Sequence, residues 1–177
     1  MKIIGFIYRD KGYEMVLKGD SCLLNGRKPM FIPDRTNELC VTDCIILRVS
    51  RLGKEIAPRF AERYYDAVAL GLDFAAMDLL REAQAQGKPW TSAIAFDYSL
   101  AIGEWMTDNN EMSATALPDD GLVISPQEAI AEASKVMTIR QGDLIYIQRN
   151  VPPRAVNKEE IIQREINGEE KLYCKIK

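Results

Sequence analysis

Gly71-Leu-Asp-Phe-Ala-Ala-Met-Asp-Leu-Leu80 is the stretch whose reading decides the fold. It extends an apolar run that begins at Asp66 and carries one acid, Asp73, in its interior. From Ala75 it changes to a helical pattern that Gly87 ends, with Pro89 behind it. A glycine just past the last periodic residue and a proline beyond it are helix stop signals, because the first tolerates a left-handed backbone and the second cannot continue the helix. The stretch therefore predicts a strand over 66–74 that runs into a helix over 75–86.

Working outward, Cys44-Ile-Ile-Leu-Arg-Val-Ser50 is a second strongly β-forming run, dense in branched side chains. Lys2 to Tyr8 and Tyr13 to Lys18 flank Asp10-Lys-Gly12 and read as a hairpin. Asn25-Gly26 marks a turn, and Pro29-Met-Phe-Ile-Pro33 reads as a short extended piece. Ala57 to Tyr65 suits a short helix with Pro58 in its first turn. Ser125-Pro-Gln-Glu128 is a capping box with proline at the first helical position, opening a helix that runs to about Met137. Gly142-Asp143 turns into a strand over 144–147, and 161–166 with 171–176 form a terminal hairpin across Asn167-Gly168. Many strands with two or three short helices make an α+β chain, predominantly β, expected as a single domain over 1–177.

Composition narrows the function classes. With 23 basic and 26 acidic residues and no Lys/Arg block, the chain lacks the field that would concentrate it on a phosphate backbone, so nucleic acid is not an expected partner. No apolar run approaches the roughly 20 residues that span a bilayer. The amino-terminal stretch reaches charge at Arg9-Asp10, too soon for a secretory core, so neither a membrane nor export is expected and the cytoplasm is the expected location. Cys22, Cys40, Cys44 and Cys174 are irregularly spaced, which suits reduced, packed thiols; a zinc site would need at least three of them to converge. The chain has no histidine, which rules out a histidine general base.

A collinear series of segments resembles the fumarylacetoacetate hydrolase family of acylpyruvate hydrolases, isomerases and decarboxylases. It runs from about Lys18 to Ile147 and is densest from Arg48 to Asp97: Arg48-Val-Ser-Arg-Leu-Gly-Lys54, Ala57 to Asp66, Leu72 to Leu80, then Gly87-Lys-Pro-Trp-Thr91 and Phe96-Asp97. The resemblance implies the rolled, mixed β-structure of that family's carboxy-terminal domain. It also implies a Mg²⁺ or Mn²⁺ ion held by a Glu-x-Glu pair on one strand and an Asp on the next, chelating a 2-oxo acid. Alignment on Arg48 to Lys54 puts the Glu-x-Glu positions at Thr42 and Cys44 and the third ligand at Asp73. One carboxylate with a hydroxyl and a thiol is a poor ligand set for a hard cation, whose preferred donors are charged oxygens. The family's pocket lysine falls at Ile94, and the Thr, Arg and Gln of its strand-to-helix motif fall at Ala75, Met77 and Leu80. The segment between Trp105 and Leu122 is shorter than in the family, and Gln148 to Pro153 replaces a Thr-Gly-Thr-Pro loop.

The resemblance thus predicts a shortened, degenerate relative with a vestigial pocket at Lys18, Thr42, Cys44, Asp73 and Ile94. No cofactor is expected, and the partner is a second copy or a homologue, as a homodimer or heteromer. The alternative is a hydrolase, isomerase or decarboxylase of small 2-oxo acids with weak or no metal dependence, in which case Asp73 is a ligand of Mg²⁺ or Mn²⁺. Each polar residue also carries a structural reading. Asp73 suits an N-cap of the helix that follows it, Lys18 an exposed strand lysine, Asp78 a local hydrogen-bond acceptor, Asp97 an anchor of its own loop, and Cys40 and Cys44 packed thiols. A third expectation is that Ile94, Met77 and Leu80 turn inward and fill the old site.

Overall fold

The computed structural model describes residues 1–107 and 121–177. Among the described residues there are ten strands: β1 (Ile3–Arg9), β2 (Gly12–Lys18), β3 (Leu23–Asn25), β4 (Leu39–Val49), β5 (Tyr65–Ala76), β6 (Leu100–Ile102), β7 (Leu144–Gln148), β8 (Arg154–Ala155), β9 (Ile161–Ile166) and β10 (Glu169–Lys175). Three helices accompany them among the described residues: α1 (Met77–Ala85), α2 (Thr91–Ile94) and α3 (Pro126–Val136). The segment between Trp105 and Leu122 falls largely outside the described residues. Among those described, no helix is long and apolar enough to cross a membrane.

Seven strands form one mixed sheet in the order β2-β1-β7-β4-β5-β6-β3, with β8 added to the side of β4. Chain connectivity forces this sheet to roll. Its two ends are β2 and β3, and only the turn around Asp20–Cys22 joins Lys18 to Leu23. Five residues reach at most about 18 Å, whereas seven flat strands about 4.8 Å apart would put the ends about 29 Å from one another. The ends meet only if the sheet curls, which brings the last residue of β2 over β5 and β6.

The strand alternation sorts the core into layers. Ile45 and Leu47 of β4, with Ile4, Phe6, Ile145 and Ile147, face outward and are covered by Ala129, Ile130 and Ala133 of α3. Cys44 and Ile46, with Ile3, Ile7, Leu144 and Tyr146, face into the roll and meet Leu80 of α1 and Ile94 of α2. The β9–β10 hairpin closes a third side, placing Leu172 and Cys174 on Val41, Leu72 and Phe74. Burial on both faces explains why β4 and β5 read as near-continuous apolar runs.

Local signals act where they were expected, with three differences. Ser125 caps α3 by accepting the Glu128 N–H, and Asn167 and Gly168 both take the positive φ that a two-residue hairpin turn requires. The helix after β5 starts at Met77, because Ala75 and Ala76 continue the ladder with Cys40 and Leu39. Pro58–Tyr64 is a 3₁₀ segment where an α-helix is expected. Asp73 is no cap. It lies within β5, and the residue preceding α1 is Ala76, with no side-chain cap.

Gly5 shows how tightly the concave face is packed. It sits beside Tyr146 in the β1–β7 ladder, and a Cβ there would lie 2.1 Å from the Tyr146 ring. Gly19, by contrast, has open space around it. Gly5→Ala is expected to cost about 1–3 kcal/mol through overpacking and Gly19→Ala no more than about 0.5 kcal/mol, measured as urea unfolding midpoints of the two variants.

Candidate functional site

Rolling the sheet carries the end of β2 across its concave face, and there Lys18 becomes a core residue. Its side chain is 0% exposed, and its ammonium donates to Asp73 Oδ1 (2.6 Å), Ser99 Oγ (3.0 Å) and Ser99 O (3.1 Å). An ammonium has three N–H donors, and all three are satisfied. It also stands 5.7 Å from the centre of the Tyr146 ring, a cation–π contact. Ser99 reaches it because the preceding residue, Tyr98, adopts φ 65° and its N–H is tied to Ser21 O. A positive φ is unusual for a tyrosine, and this turn aims the Ser99 carbonyl into the roll.

Asp73 is used up by the same network. Its second oxygen, Oδ2, accepts from Gln148 Nε2 at 2.7 Å, and Gln148 Oε1 accepts the Tyr8 N–H at 2.7 Å. One chain of hydrogen bonds therefore links β1, β7, β5, β2 and the entrance to β6. Asp73 stands directly across the ladder from Thr42, while Cys44 pairs with Gly71 on one side and Gln148 on the other. The pocket residues expected at Lys18, Thr42, Cys44 and Asp73 thus do come together on one face. Asp43, between Thr42 and Cys44, points away and pairs with Arg164 on the β9 hairpin (2.7 Å).

Above this network lies a cavity of about 400 Å³, with Thr42, Asp73 and Gln148 at its polar part and Ile7, Leu80 and Ile94 among its apolar walls. Ile94, Met77 and Leu80 line the space without filling it, contrary to the expectation of a closed core. They are held back by the helices that carry them: Leu80 and Ile94 are 3% and 5% exposed because α1 and α2 pack them on the sheet beside the cavity.

The residues present do not fit a divalent cation. Asp73 is the only carboxylate among the three positions that the family resemblance assigns, and Thr42 and Cys44 supply a hydroxyl and a buried thiol. Burial, reinforced by the charges of Asp73 and Asp43, pushes the Cys44 thiol well above its ordinary range, so it is not a thiolate ligand near neutral pH. The Lys18 ammonium already sits where Asp73 would meet a cation. Among the described residues no three His, Cys, Asp or Glu side chains gather to hold a metal. Neither do the other thiols read as reactive: all four cysteines are buried and free, and burial pushes Cys40 and Cys174 up to about 11.

Two residues of the site escaped the sequence: Gln148 and Ser99. A signal existed for one of them. Leu144, Tyr146 and Gln148 share one phase of β7, so period-2 counting alone places Gln148 on the concave face. Ser99 depends on a loop conformation that no pattern announces. Asp78 does act as a local acceptor, from the Asn37 and Leu79 N–H groups and the Thr36 hydroxyl.

No family model matches the chain. It is 24% identical over 185 aligned positions to an uncharacterized protein of Pyrococcus abyssi, covering 89% of this chain and 81% of that one. It is 25% identical over 143 positions to the mitochondrial oxaloacetate tautomerase of Rattus norvegicus, covering 72% of this chain and 64% of the rat protein, so the match spans less than two thirds of that relative's length. Solved structures share the fold, and two of them illustrate it. One is the fumarylpyruvate hydrolase of Pseudomonas aeruginosa in complex with Mn²⁺ and pyruvate (TM-score 0.78, 18% identity, 99% of this chain and 88% of that one). The other is a protein of Yersinia pestis assigned to the fumarylacetoacetate hydrolase family (TM-score 0.84, 15% identity, 99% and 91%).

The energetic weight of the Lys18–Asp73 pair is open to direct measurement. Lys18→Met leaves a buried carboxylate without its counter-charge and is expected to cost about 3–5 kcal/mol. Lys18→Met combined with Asp73→Asn removes both charges and should recover a substantial part of that loss. A double-mutant cycle from urea unfolding checks it, and strictly additive losses would show that the two side chains are not coupled.

Proposed function

We propose that this chain, which has the fold of the fumarylacetoacetate hydrolase family, is a degenerate, non-catalytic protein of that fold. In this reading it keeps a small-molecule cavity without a metal and works as a homodimer or as the partner of a full-length homologue. The observation that carries the proposal is the commitment of Asp73: both carboxylate oxygens are bonded inside the roll, one of them to an ammonium at 2.6 Å. Metal-dependent handling of a 2-oxo acid needs a cluster of charged oxygens free to replace the water around a hard cation. Of the three positions the resemblance assigns, Asp73 alone is a carboxylate, already paired with Lys18, and Thr42 and Cys44 add no charge to it. The absence of histidine removes the commonest general base as well.

Thermal unfolding of the purified chain with millimolar Mn²⁺ or Mg²⁺, alone and with oxaloacetate, tests the loss of the metal site. A ligand at 100 times its dissociation constant adds about 2.7 kcal/mol to stability. The expected result is no metal-dependent shift, and a shift that appears only with both metal and oxaloacetate contradicts the proposal. The partner role is tested by mixing the chain with a full-length homologue and measuring mass by size-exclusion chromatography with light scattering. A heteromer is expected; two separate homo-oligomers argue against it.

One observation favours a second reading, in which the chain is a metal-independent hydrolase, isomerase or decarboxylase of small 2-oxo acids. The cavity opens directly onto Thr42, Asp73 and Gln148 and is large enough for such a substrate. Turnover of oxaloacetate or an acylpyruvate in excess chelator, abolished by Thr42→Val, would support that reading over the first.

A further inference from the structure

We infer that the cavity selects an uncharged molecule with a hydrogen-bond donor at one end of an apolar body, a primary amide, and rejects carboxylates; the inference rests on the metal-free reading of the site. The ion pair beneath the cavity has a direction. Asp73 lines the space, whereas Lys18 does not and its side chain is 0% exposed, so the carboxylate stands between the ammonium and a ligand. A ligand therefore meets the negative end of the pair first. Coulomb energy falls with distance, so the nearer charge sets the sign of the potential at the polar floor. Anionic oxygens are disfavoured there and N–H donors are favoured.

The other charges in the wall do not reverse that sign. Arg9 is committed elsewhere, its Nε donating to Glu14 at 2.7 Å and its guanidinium lying over the Trp90 ring, and Asp10 adds a second carboxylate. The floor can also accept a donor. Asp73 Oδ1 and Oδ2 each take one hydrogen bond, from Lys18 and from Gln148, and a carboxylate oxygen has room for a second. Thr42, across the ladder from Asp73, brings a hydroxyl that can donate to a carbonyl. A primary amide answers both, with its N–H on the carboxylate and its C=O on the hydroxyl. Ile7, Met77, Leu80 and Ile94 make the remaining walls apolar, so the rest of the ligand is hydrocarbon. An alkylammonium would make the same contact with Asp73 but would bring a full charge out of water to a floor that already has the Lys18 ammonium behind it, a cost the amide avoids.

Nuclear magnetic resonance titration of the full chain with hexanamide, heptan-2-one and hexanoate, each with and without Mn²⁺, tests the inference, because the three ligands differ only in the NH₂, CH₃ or O⁻ beside the carbonyl. Hexanamide is expected to bind about tenfold more tightly than either of the others, to shift the Thr42 amide signal, and to be indifferent to Mn²⁺. Ile94→Trp, which fills the cavity from its apolar wall, should weaken hexanamide about tenfold. Lys18→Met combined with Asp73→Asn removes the directed pair and should erase most of the preference for hexanamide over hexanoate. If neither variant folds, the ranking of the three ligands on the unaltered chain is sufficient. Hexanamide that fails to bind, or that binds no better than hexanoate or heptan-2-one, overturns the inference and leaves the metal-free reading standing. Oxaloacetate that binds only with Mn²⁺, in a parallel titration, overturns that reading and the inference with it.

Discussion

The ion pair between Lys18 and Asp73 is the constraint around which the roll is organised. The Lys18 side chain is 0% exposed and that of Asp73 4% exposed, so each charge depends on the other beside it. Burying a charge pair costs several kcal/mol per ion, and the loss is offset only when geometry is good and the remaining donors and acceptors are satisfied. Here they are: three acceptors surround the ammonium and two donors hold the carboxylate. The requirement reaches far along the chain. It fixes the end of β2 against β5, sets the turn at Tyr98 that presents Ser99, and orients Gln148 between β7 and β1.

The same pair governs what the site can do. The Lys18 ammonium bonds Asp73 Oδ1 and Gln148 bonds Oδ2, so both carboxylate oxygens already have partners. The cavity remains open above it because α1 and α2 hold their apolar side chains on the walls. A concave space of this size with a few fixed polar groups is the usual form of a small-molecule site.

Most of the fold was legible because its signals are local. Asp10-Lys-Gly12, Asn167-Gly168 and Ser125-Pro-Gln-Glu128 each specify a backbone geometry through a few adjacent residues, and the structure uses all three. The apolar runs around Cys44 and Gly71 announce strands buried on both faces. The site was legible in part. Thr42, Cys44 and Asp73 could be placed together from the collinear segments, but the partner of Asp73 could not. Lys18 ends a strand and looks like an ordinary surface lysine; its burial follows from the closure of the sheet, which depends on strand order and on the short link to β3. Asp73 reads as a helix cap from its distance to α1, yet the strand runs on to Ala76 because Ala75 and Ala76 still have partners on β4. Information of that kind is carried by pairing between distant segments and has no local signature.

Anomalous diffraction from crystals soaked in Mn²⁺ tests the central claim most directly, because it locates the metal and the lysine in one experiment. The account predicts no manganese peak within bonding distance of Asp73 and an Lys18 ammonium still hydrogen-bonded to Oδ1. A manganese peak on Asp73 with Lys18 displaced into the cavity would contradict it.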